Sequence, residues 1–195
     1  MDRCDGMLSD MVEESRLNLG CGADIRSGWV NLDSTRGIPG VDVVHDLDVL
    51  PLPFSDNTFE FILAQDVLEH LVDPVRTLGE LHRILRPGGR LRIRVPHFTS
   101  RNNFIDPTHR TRFAIEWFDF FVRGSRRKAE RPYYFDFTFC RIVEERITFE
   151  GVTIWTLLNP PLEWFVNRSR RTRAAYERTM LRALPADNIL MELEK

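Results

Sequence analysis

Two glycines at the end of a short apolar run are the first residues in this chain whose types and spacing could do chemistry. The run at residues 16–19 predicts a β-strand, and Gly20 and Gly22 follow it with only Cys21 between them. Glycine permits a tight turn and leaves no Cβ in the path of a ligand. Because ligands of open α/β sheets bind beyond the carboxyl ends of the strands, the pattern predicts a binding site at this turn.

A carboxylate closes the next predicted strand. Asp33 lies eleven residues after Gly22, at the end of the apolar run 29–32. A carboxylate at this point can accept hydrogen bonds from both hydroxyl groups of a ribose, and bonds to a charged acceptor are roughly twice as strong as neutral ones. The glycine turn and the acid together predict a pocket for a cofactor that contains a nucleoside.

The turn lacks the features of a dinucleotide-binding fingerprint. That fingerprint needs a third glycine three residues after the second, and a helix whose N-terminus meets the pyrophosphate. Position 25 is Ile, and residues 23–28 are too few for a full crossover helix. The sequence therefore favours a nucleoside cofactor that is not a dinucleotide.

Periodicity along the rest of the chain predicts the elements that position these side chains. Strands are expected at 41–45, 59–64, 91–95, 139–149 and 189–193, and a partly helical stretch is expected at 114–122. Asp73 and Pro74 are typical of a helix start. Near the C-terminus, Pro160-Pro161 predicts a break before an Arg-rich helix with a stripe of Tyr176, Met180 and Leu184.

Six short motifs follow one another in unbroken order between residues 16 and 97. They are Leu-Asn-Leu-Gly-Cys-Gly at 17–22, Gly-Trp-Val-Asn-Leu-Asp at 28–33, His-Asp-Leu at 45–47, Leu-Pro-Phe-Ser-Asp-Asn-Thr-Phe at 52–59, Asp-Val-Leu-Glu-His-Leu at 66–71 and Leu-Arg-Pro-Gly-Gly-Arg at 85–90. In this order they resemble the S-adenosylmethionine-dependent methyltransferases of the Rossmann-like class, and more narrowly the type 11 methyltransferase-domain proteins. Asp-Pro-Thr-His at 106–109 agrees more loosely.

The resemblance implies a fold and a division of the chain. It implies a Rossmann-like, three-layer α/β sandwich around a mostly parallel, seven-stranded sheet whose final strand is antiparallel. We expect residues 1–195 to form a single domain, with a cofactor-binding core at 16–97 and a substrate lid at 97–135. S-adenosylmethionine is the implied cofactor, and S-adenosylhomocysteine is its product.

The same resemblance implies which residues contact the cofactor. Gly20, Cys21 and Gly22 would lie beneath its amino-acid end, Asp33 would hold the ribose, Asp46 and Leu47 would border the adenine, and Gln65 and Asp66 would line the floor. Asp46 or Asp48 could instead simply cap the turn that follows. Leu19 and His70 complete the predicted cofactor set, with packing or polar support expected for His70.

Methyl transfer from a sulfonium is an in-line displacement that depends on alignment, and a hydroxyl acceptor also needs a base. His97 follows the fifth predicted strand, and His109 lies in the predicted lid with Asp106 nearby to orient it. These three are the predicted catalytic residues, although either histidine could be purely structural. The three cysteines are odd in number and scattered, so no metal site is expected from them.

Composition limits the class of protein. The chain has 195 residues, 43% of them hydrophobic and 29% charged, which is ordinary for a soluble globular domain. No apolar run reaches the length of a membrane span. Residues 1–15 are a short polar stretch, and its acidic start at 1–5 lacks the apolar core of a signal peptide. Together with the scattered cysteines, these features predict a cytoplasmic protein with reduced thiols.

The distribution of charge does not identify the molecule that accepts the methyl group. Residues 1–120 carry 13 Arg and 19 acidic residues, a net charge of −6, whereas residues 121–195 carry a net charge of +4. A hydroxyl of a small molecule or sugar is the expected acceptor, by analogy with the family. The basic half keeps a protein or RNA methyltransferase as an alternative, although a solvated helix face explains the arginines more simply. A binding protein that has lost catalysis is the remaining alternative. The sequence does not predict an oligomeric state.

Overall fold

The computed structural model describes residues 15–150 and 159–195. The predicted polar stretch 1–15 therefore lies outside the described residues except for its last residue. Seven strands form one sheet in the order β3-β2-β1-β4-β5-β7-β6. They are β1 (Arg16–Leu19), β2 (Val30–Asp33), β3 (Val43–Val44), β4 (Phe59–Gln65), β5 (Leu85–Pro96), β6 (Arg141–Thr148) and β7 (Asn188–Glu194).

The strand directions confirm the predicted sheet. Strands β1 to β5 pair in parallel, and β7 runs antiparallel between β5 and β6. The strand order reverses at β1, because β2 and β3 extend the sheet on one side and β4 and β5 on the other. Such a reversal opens a crevice beyond the carboxyl ends of the strands, which is where α/β proteins bind ligands.

Five α-helices accompany the sheet in the described part of the chain. The longest, α1, begins as predicted, because Pro74 is its first residue and the Asp73 side chain accepts the N–H of Arg76 at 3.1 Å. The helices are α1 (Pro74–Ile84), α2 (Asn102–Ile105), α3 (Arg126–Glu130), α4 (Asn159–Asn167) and α5 (Arg170–Arg178). Three 3-10 helices lie at Leu68–His70, Ile115–Phe121 and Met180–Ala183.

The two faces of the sheet differ in chemistry. One face is apolar and buried: Leu17, Ile62, Leu91 and Ile93 have no exposed surface, and they pack with Leu78 and Leu81 of α1 in one hydrophobic cluster. On the other face, the predicted alternation in β5 leaves Arg90 and Arg92 exposed. Both of these arginines pair with the buried carboxylate of Glu192 on β7. The apolar face therefore supplies the core, while the second face carries ion pairs.

Between Arg16 and Asp73, a fully described stretch, the chain forms no α-helix. The connection from β1 to β2 is a loop, as the short spacing between the two motifs predicts. Parallel neighbours usually need a crossover of a dozen or more residues. The loop must therefore be held in place by hydrogen bonds from side chains, which are described with the site below.

Two predicted boundaries were wrong. Strand β5 begins at Leu85 rather than at residue 91, so Pro87-Gly88-Gly89 lies inside a strand instead of separating a helix from one. Leu85 pairs with Phe59 across an irregularity in the register, a long-range contact with no local signal. Strand β3 is also shorter than the predicted 41–45.

The C-terminal region corrects a third prediction. Pro160 and Pro161 lie in the first turn of α4, where the missing N–H groups cost nothing, so they do not break the chain. Helix α5 ends at Arg178, before the predicted stripe is complete. Tyr176 is fully buried, whereas Met180 and Leu184 are exposed. No helix in the described residues is long and apolar enough to cross a membrane.

Candidate cofactor and acceptor site

The glycine turn after β1 is tightly enclosed. Gly20 and Gly22 have φ values of +61° and +49°, which L-residues with side chains rarely adopt. A Cβ on Gly20 would lie 2.6 Å from Cγ2 of Val67. Cys21 is buried, and its N–H donates to the carbonyl of Leu32 at 3.0 Å. The turn is therefore clamped between β2 and the residues that follow β4.

Asp33 lies against this turn. Its Oδ2 accepts the N–H of Gly22 at 2.8 Å, and its Oδ1 accepts the N–H of Thr35 at 2.8 Å. Burial alone would raise the pKa of Asp33, but the backbone N–H groups of Thr35 and Gly22 outweigh it and hold that pKa below its usual value. An ionised carboxyl has about four acceptor sites, so it can also receive hydroxyl groups.

A pair of buried asparagines holds the loop between β1 and β2. Asn18 and Asn31 face each other in register, and Nδ2 of Asn18 donates to Oδ1 of Asn31 at 3.2 Å and to the carbonyl of Asp24 at 2.6 Å. The Asn31 side chain accepts the N–H of Arg26 and donates to its carbonyl. We assigned these asparagines no role from the sequence. Their signal was an amide between two apolar residues in both strands.

Leu19 and Leu47 are buried and act as packing residues. Asp46 follows β3, and its Oδ1 accepts the N–H of Asp48 at 3.0 Å. This is the turn-capping geometry given above as the alternative for Asp46. The adenine role of Asp46 and Leu47 therefore stays a prediction.

Gln65 and Asp66 end β4 beside the glycine turn. The guanidinium of Arg26 donates to Oε1 of Gln65 at 3.1 Å, which connects the β1–β2 loop to β4. Asp66 has a φ of +54°, and both of its carboxylate oxygens pair with the guanidinium of Arg94 on β5. The hydrogen bond and charge of Asp66 raise the pKa of Arg94. A non-glycine residue in this backbone region is held there by its surroundings.

A cleft of about 470 Å³ opens beside Asp66, at the carboxyl ends of β4 and β5. The segment after β5 forms its far wall. Among the residues that line the cleft are Asp66, Glu69, His70, Arg94, Asp106 and His109. The structure thus brings together two of the three predicted catalytic residues and two of the predicted cofactor residues.

Glu69 also lines this cleft, and no role was assigned to it from the sequence. It is fully buried, and neither of its carboxylate oxygens has a hydrogen-bond partner among the described residues. Burial, with a smaller contribution from the charge of Asp66, raises the pKa of Glu69 to about 8. The only signal was an acid inside the apolar motif at 66–71, and its burial depends on a segment some forty residues later.

The rings of His70 and His109 are in edge-to-face contact in the cleft, with centroids 4.7 Å apart. Nδ1 of His70 lies 2.8 Å from Oγ1 of Thr108, and Nε2 of His109 lies 3.8 Å from Oδ2 of Asp106. Nδ1 of His109 is buried without a partner among the described residues. Burial and the nearby His70 lower the pKa of His109.

His97 requires a correction. It is fully buried and does not line the cleft. Its Nδ1 lies 2.7 Å from Oγ1 of Thr99, and its Nε2 lies 3.1 Å from Oε1 of Glu177, which also accepts the N–H of Ile115 at 2.7 Å. With both ring nitrogens engaged, His97 joins α5 to the end of β5. The geometry gives no support to its predicted proton role.

Comparisons with known proteins agree with this arrangement. Residues 21–93, just over a third of the chain, match the family described as "Methyltransferase domain" (Methyltransf_11). A S-adenosylmethionine-dependent methyltransferase of Archaeoglobus fulgidus has a similar structure, with a TM-score of 0.59 over 98% of this chain and 92% of that chain. At 14% sequence identity, this likeness shows a shared fold.

Sequence relatives match only in part. A 37.1 kDa protein in transposon TN4556 of Streptomyces fradiae is 32% identical over 109 residues, which is 45% of this chain and 31% of the relative. A demethylmenaquinone methyltransferase of Mycobacterium sp. (strain KMS) is 29% identical over 130 residues, 66% of this chain and 51% of the relative. The chain thus spans about half or less of the length of these relatives.

The strand order, the glycine turn and the acid after β2 define the class of protein as a Rossmann-like, class I methyltransferase fold. Within that class, residues 21–93 of the chain are similar to the type 11 methyltransferase domain. The matched domain and this fold imply S-adenosylmethionine as the cofactor. The residues fit such a group, since an ionised carboxylate and two side-chain-free positions lie together at the strand-order reversal.

Proposed function

We propose that this protein is a S-adenosylmethionine-dependent methyltransferase whose acceptor is a hydroxyl group of a small molecule or sugar. One observation carries the proposal: the turn that contains Asp66 borders both the cofactor turn and the cleft. Val67 packs against Gly20, and Glu69 lines the cleft only two residues further on. A methyl donor held by the glycine turn would therefore meet an acceptor that enters the cleft.

The chain's own residues would hold and orient both molecules. Asp33 would receive the ribose hydroxyls, Gly20 and Gly22 would let the amino-acid end approach the backbone, and Gln65 and Asp66 would form the floor. The bound cofactor supplies an electrophilic methyl group on a sulfonium. The protein then needs to place the acceptor oxygen in line with that methyl group, which is a task of positioning.

Two of the predicted catalytic residues, His109 and Asp106, line the cleft, where an acceptor hydroxyl would lose its proton. The segment that carries them is the predicted lid at 97–135, and its role in closing the site is part of this proposal. His70, predicted as a packing or supporting residue of the cofactor site, lies on the acceptor side of the cleft in this arrangement.

An RNA or protein methyltransferase is the alternative that the basic half kept open. In the structure three of the four arginines of α5, Arg170, Arg173 and Arg178, pair with carboxylates. Arg170 pairs with Asp119 and Glu145, and Arg173 pairs with Glu145 at 2.9 Å. Arginines neutralised within the fold offer little to an RNA phosphate. This favours a small acceptor.

The first test is thermal unfolding with S-adenosylmethionine, S-adenosylhomocysteine and, as a control, NAD. Ligand at a hundredfold over its Kd adds about 2.7 kcal/mol to the free energy of unfolding. For a chain of this size, that is a rise in Tm of roughly 5–11 °C. We expect this rise in Tm with S-adenosylmethionine and S-adenosylhomocysteine (the two methyl-cycle ligands) and no rise with NAD. A rise with NAD alone would contradict the cofactor assignment.

The second test addresses the acceptor. The protein would be incubated with S-adenosylmethionine labelled in its methyl group and with separate panels of small hydroxyl compounds, sugars, peptides and RNA. We expect label transfer to a hydroxyl compound or sugar. Transfer to peptide or RNA alone would favour the alternative, and cofactor binding without transfer to any panel would indicate a binding protein that has lost catalysis.

A further inference from the structure

Three potential metal ligands converge at the inner end of the cleft. One ligand atom from each of Glu69, His70 and His109 lies within 4.8 Å of the others. Glu69 and His70 are neighbours on the 3-10 helix at Leu68–His70. His109 is held beside them because the N–H groups of Arg110 and Thr111 donate to the carbonyl of Glu69, at 2.7 and 3.2 Å.

The unsatisfied atoms of this cluster all belong to potential ligands. Glu69 is fully buried, with no partner for either carboxylate oxygen among the described residues. The His109 side chain is 8% exposed, and its Nδ1 has no partner in the same part of the chain. Buried polar atoms in native proteins are nearly always paired, with protein, water or an ion. A buried carboxylate and an unpaired imidazole nitrogen at the same point are what a cation would satisfy.

Asp106 lies near one ring nitrogen of each histidine, and its contact with His70 is a hydrogen-bonded one through Thr108. Oδ1 of Asp106 accepts the hydroxyl of Thr108 at 2.6 Å, and that hydroxyl lies 2.8 Å from Nδ1 of His70. The other oxygen of Asp106 lies 3.8 Å from Nε2 of His109. One carboxylate therefore faces the outer nitrogens of both rings, directly or through a hydroxyl. Metal-binding histidines usually donate their second ring N–H to a carboxylate, a backbone carbonyl or water. The Asp106 carboxylate gives His70 support of this kind through the Thr108 hydroxyl.

We propose that Glu69, His70 and His109 bind a divalent transition-metal ion at the inner end of the cleft. Two imidazoles and one carboxylate suit Zn²⁺ and its neighbours rather than Mg²⁺ or Ca²⁺, which prefer all-oxygen sites. Three protein ligands leave at least one coordination position for water or substrate, which is the pattern of catalytic zinc sites. In this protein, that position faces the cleft.

The ion would give the acceptor site a specific chemistry, and this part of the inference rests on the proposed function. A cation lowers the pKa of a hydroxyl group that it contacts. The acceptor hydroxyl then gives its proton to solvent, its oxygen forms a bond to the methyl carbon, and the carbon–sulfur bond breaks to leave the neutral thioether. In this arrangement His109 is a ligand rather than a base, and Asp106 is a positioning residue.

The experiment is a titration of the full chain with Co²⁺, which reports its coordination by visible absorption and is displaced by Zn²⁺. We expect saturable binding of one Co²⁺ per chain, with weak visible bands and full displacement by Zn²⁺. The titration is done with and without S-adenosylhomocysteine, whose own binding shows that each preparation is folded.

Variants locate the ion. We expect Glu69→Gln and His109→Gln to abolish the visible bands while S-adenosylhomocysteine still binds. His82→Gln is the matched control, because His82 lies on α1 against Phe137 and Phe139, away from the cleft. Asp106→Ala should keep the bands but weaken Co²⁺ binding roughly 10- to 100-fold, as expected for a residue that orients ligands. If Glu69→Gln or His109→Gln fails to bind S-adenosylhomocysteine, His70→Gln takes its place. We expect His70→Gln to lose the visible bands as well.

Three outcomes would overturn the metal site. The first is that a protein which binds S-adenosylhomocysteine shows no saturable binding of Co²⁺. The second is that the visible bands persist in both ligand variants. The third is an intense thiolate band that disappears when Cys140, an exposed free cysteine, is alkylated. The first would leave Glu69 as a buried, protonated carboxyl. None of them touches the cofactor proposal, which fails separately if the unsubstituted chain binds no methyl-cycle ligand.

Discussion

Asp33 shows how one side chain serves two purposes. It accepts the N–H of Gly22, which fixes the glycine turn, and it remains ionised because backbone N–H groups lower its pKa. Its position at the end of β2 was readable from the sequence. Its contact with Gly22 was not, because that contact depends on how β1 and β2 pair.

We expect Asp33→Ala to weaken S-adenosylhomocysteine binding by about 1.5–3 kcal/mol, the contribution of hydrogen bonds to a charged group. This is a roughly 10- to 150-fold rise in Kd, measurable by isothermal titration calorimetry. Asp33→Asn is the control for shape, and its loss should be smaller because one acceptor oxygen remains. An unchanged Kd in Asp33→Ala would show that the ribose assignment is wrong.

His82 gives a pH dependence with a definite sign. It is half-buried on α1, and burial, together with the charge of Lys195, lowers its pKa below the usual 6.5. The unfolded chain therefore takes up the proton at a higher pH than the folded chain does. Folding stability from this residue is present above about pH 6.5 and falls as the pH falls through the lowered pKa.

The check is urea unfolding of the protein and of His82→Gln at several values between about pH 7.5 and pH 5.5. The unsubstituted chain should lose more stability over this range than the variant does. Other groups, including His109, are common to both chains and cancel in the comparison. Equal losses would show that His82 titrates alike in the folded and unfolded states.

At the scale of elements, the turn after β1 packs closely against the residues that follow β4. Gly20 has both a left-handed φ and a neighbour, Val67, where a Cβ would go. Gly124 has a similar φ of +72° but nothing within 4 Å of its Cβ position. Alanine at Gly124 therefore carries only the backbone strain, about 1–2 kcal/mol, whereas alanine at Gly20 carries the steric clash as well.

Thermal or urea unfolding should accordingly show that Gly20→Ala destabilises the protein more than Gly124→Ala does. Adding Val67→Ala to Gly20→Ala should recover part of the difference, because it removes the two methyl groups that the new Cβ would meet. If Gly20→Ala costs no more than Gly124→Ala, the turn is looser than the contact with Val67 implies.

Elements with local signals could be predicted from the sequence, and those defined by distant pairing could not. The apolar run and glycines of β1, the Asp-Pro start of α1 and the alternation of β5 are all local. The early start of β5 needs Phe59 as a partner, and α4 could begin at its prolines only because a first turn tolerates them. Propensity alone could not settle either case.

The same division holds for the site. The glycine turn and Asp33 were readable because their spacing is short. The cleft was not, since Glu69 becomes a buried acid only when residues 109–111 dock on its carbonyl. His97 looked like a candidate base because it follows β5. Its ring is instead enclosed by Glu177, which is far away in the sequence, and by Thr99, which belongs to no distinctive motif.

For the whole molecule, the sheet is built asymmetrically. Its apolar face carries the core, and its other face carries arginine–carboxylate pairs such as Arg92 with Glu192. From Arg16 to Asp73 no α-helix intervenes, so the cofactor side depends on loops held by the Asn18–Asn31 pair. Amide hydrogen bonds thus replace the helix that usually supports the first turn of such folds.

Val67 contacts the glycine turn, while Glu69, two residues later, is a proposed ion ligand. A ligand that moves this turn therefore acts on both sites, and thermodynamic linkage is reciprocal. Whatever factor S-adenosylhomocysteine contributes to the affinity for Co²⁺, the ion must contribute equally to the affinity for S-adenosylhomocysteine. The two titrations therefore form a closed thermodynamic cycle.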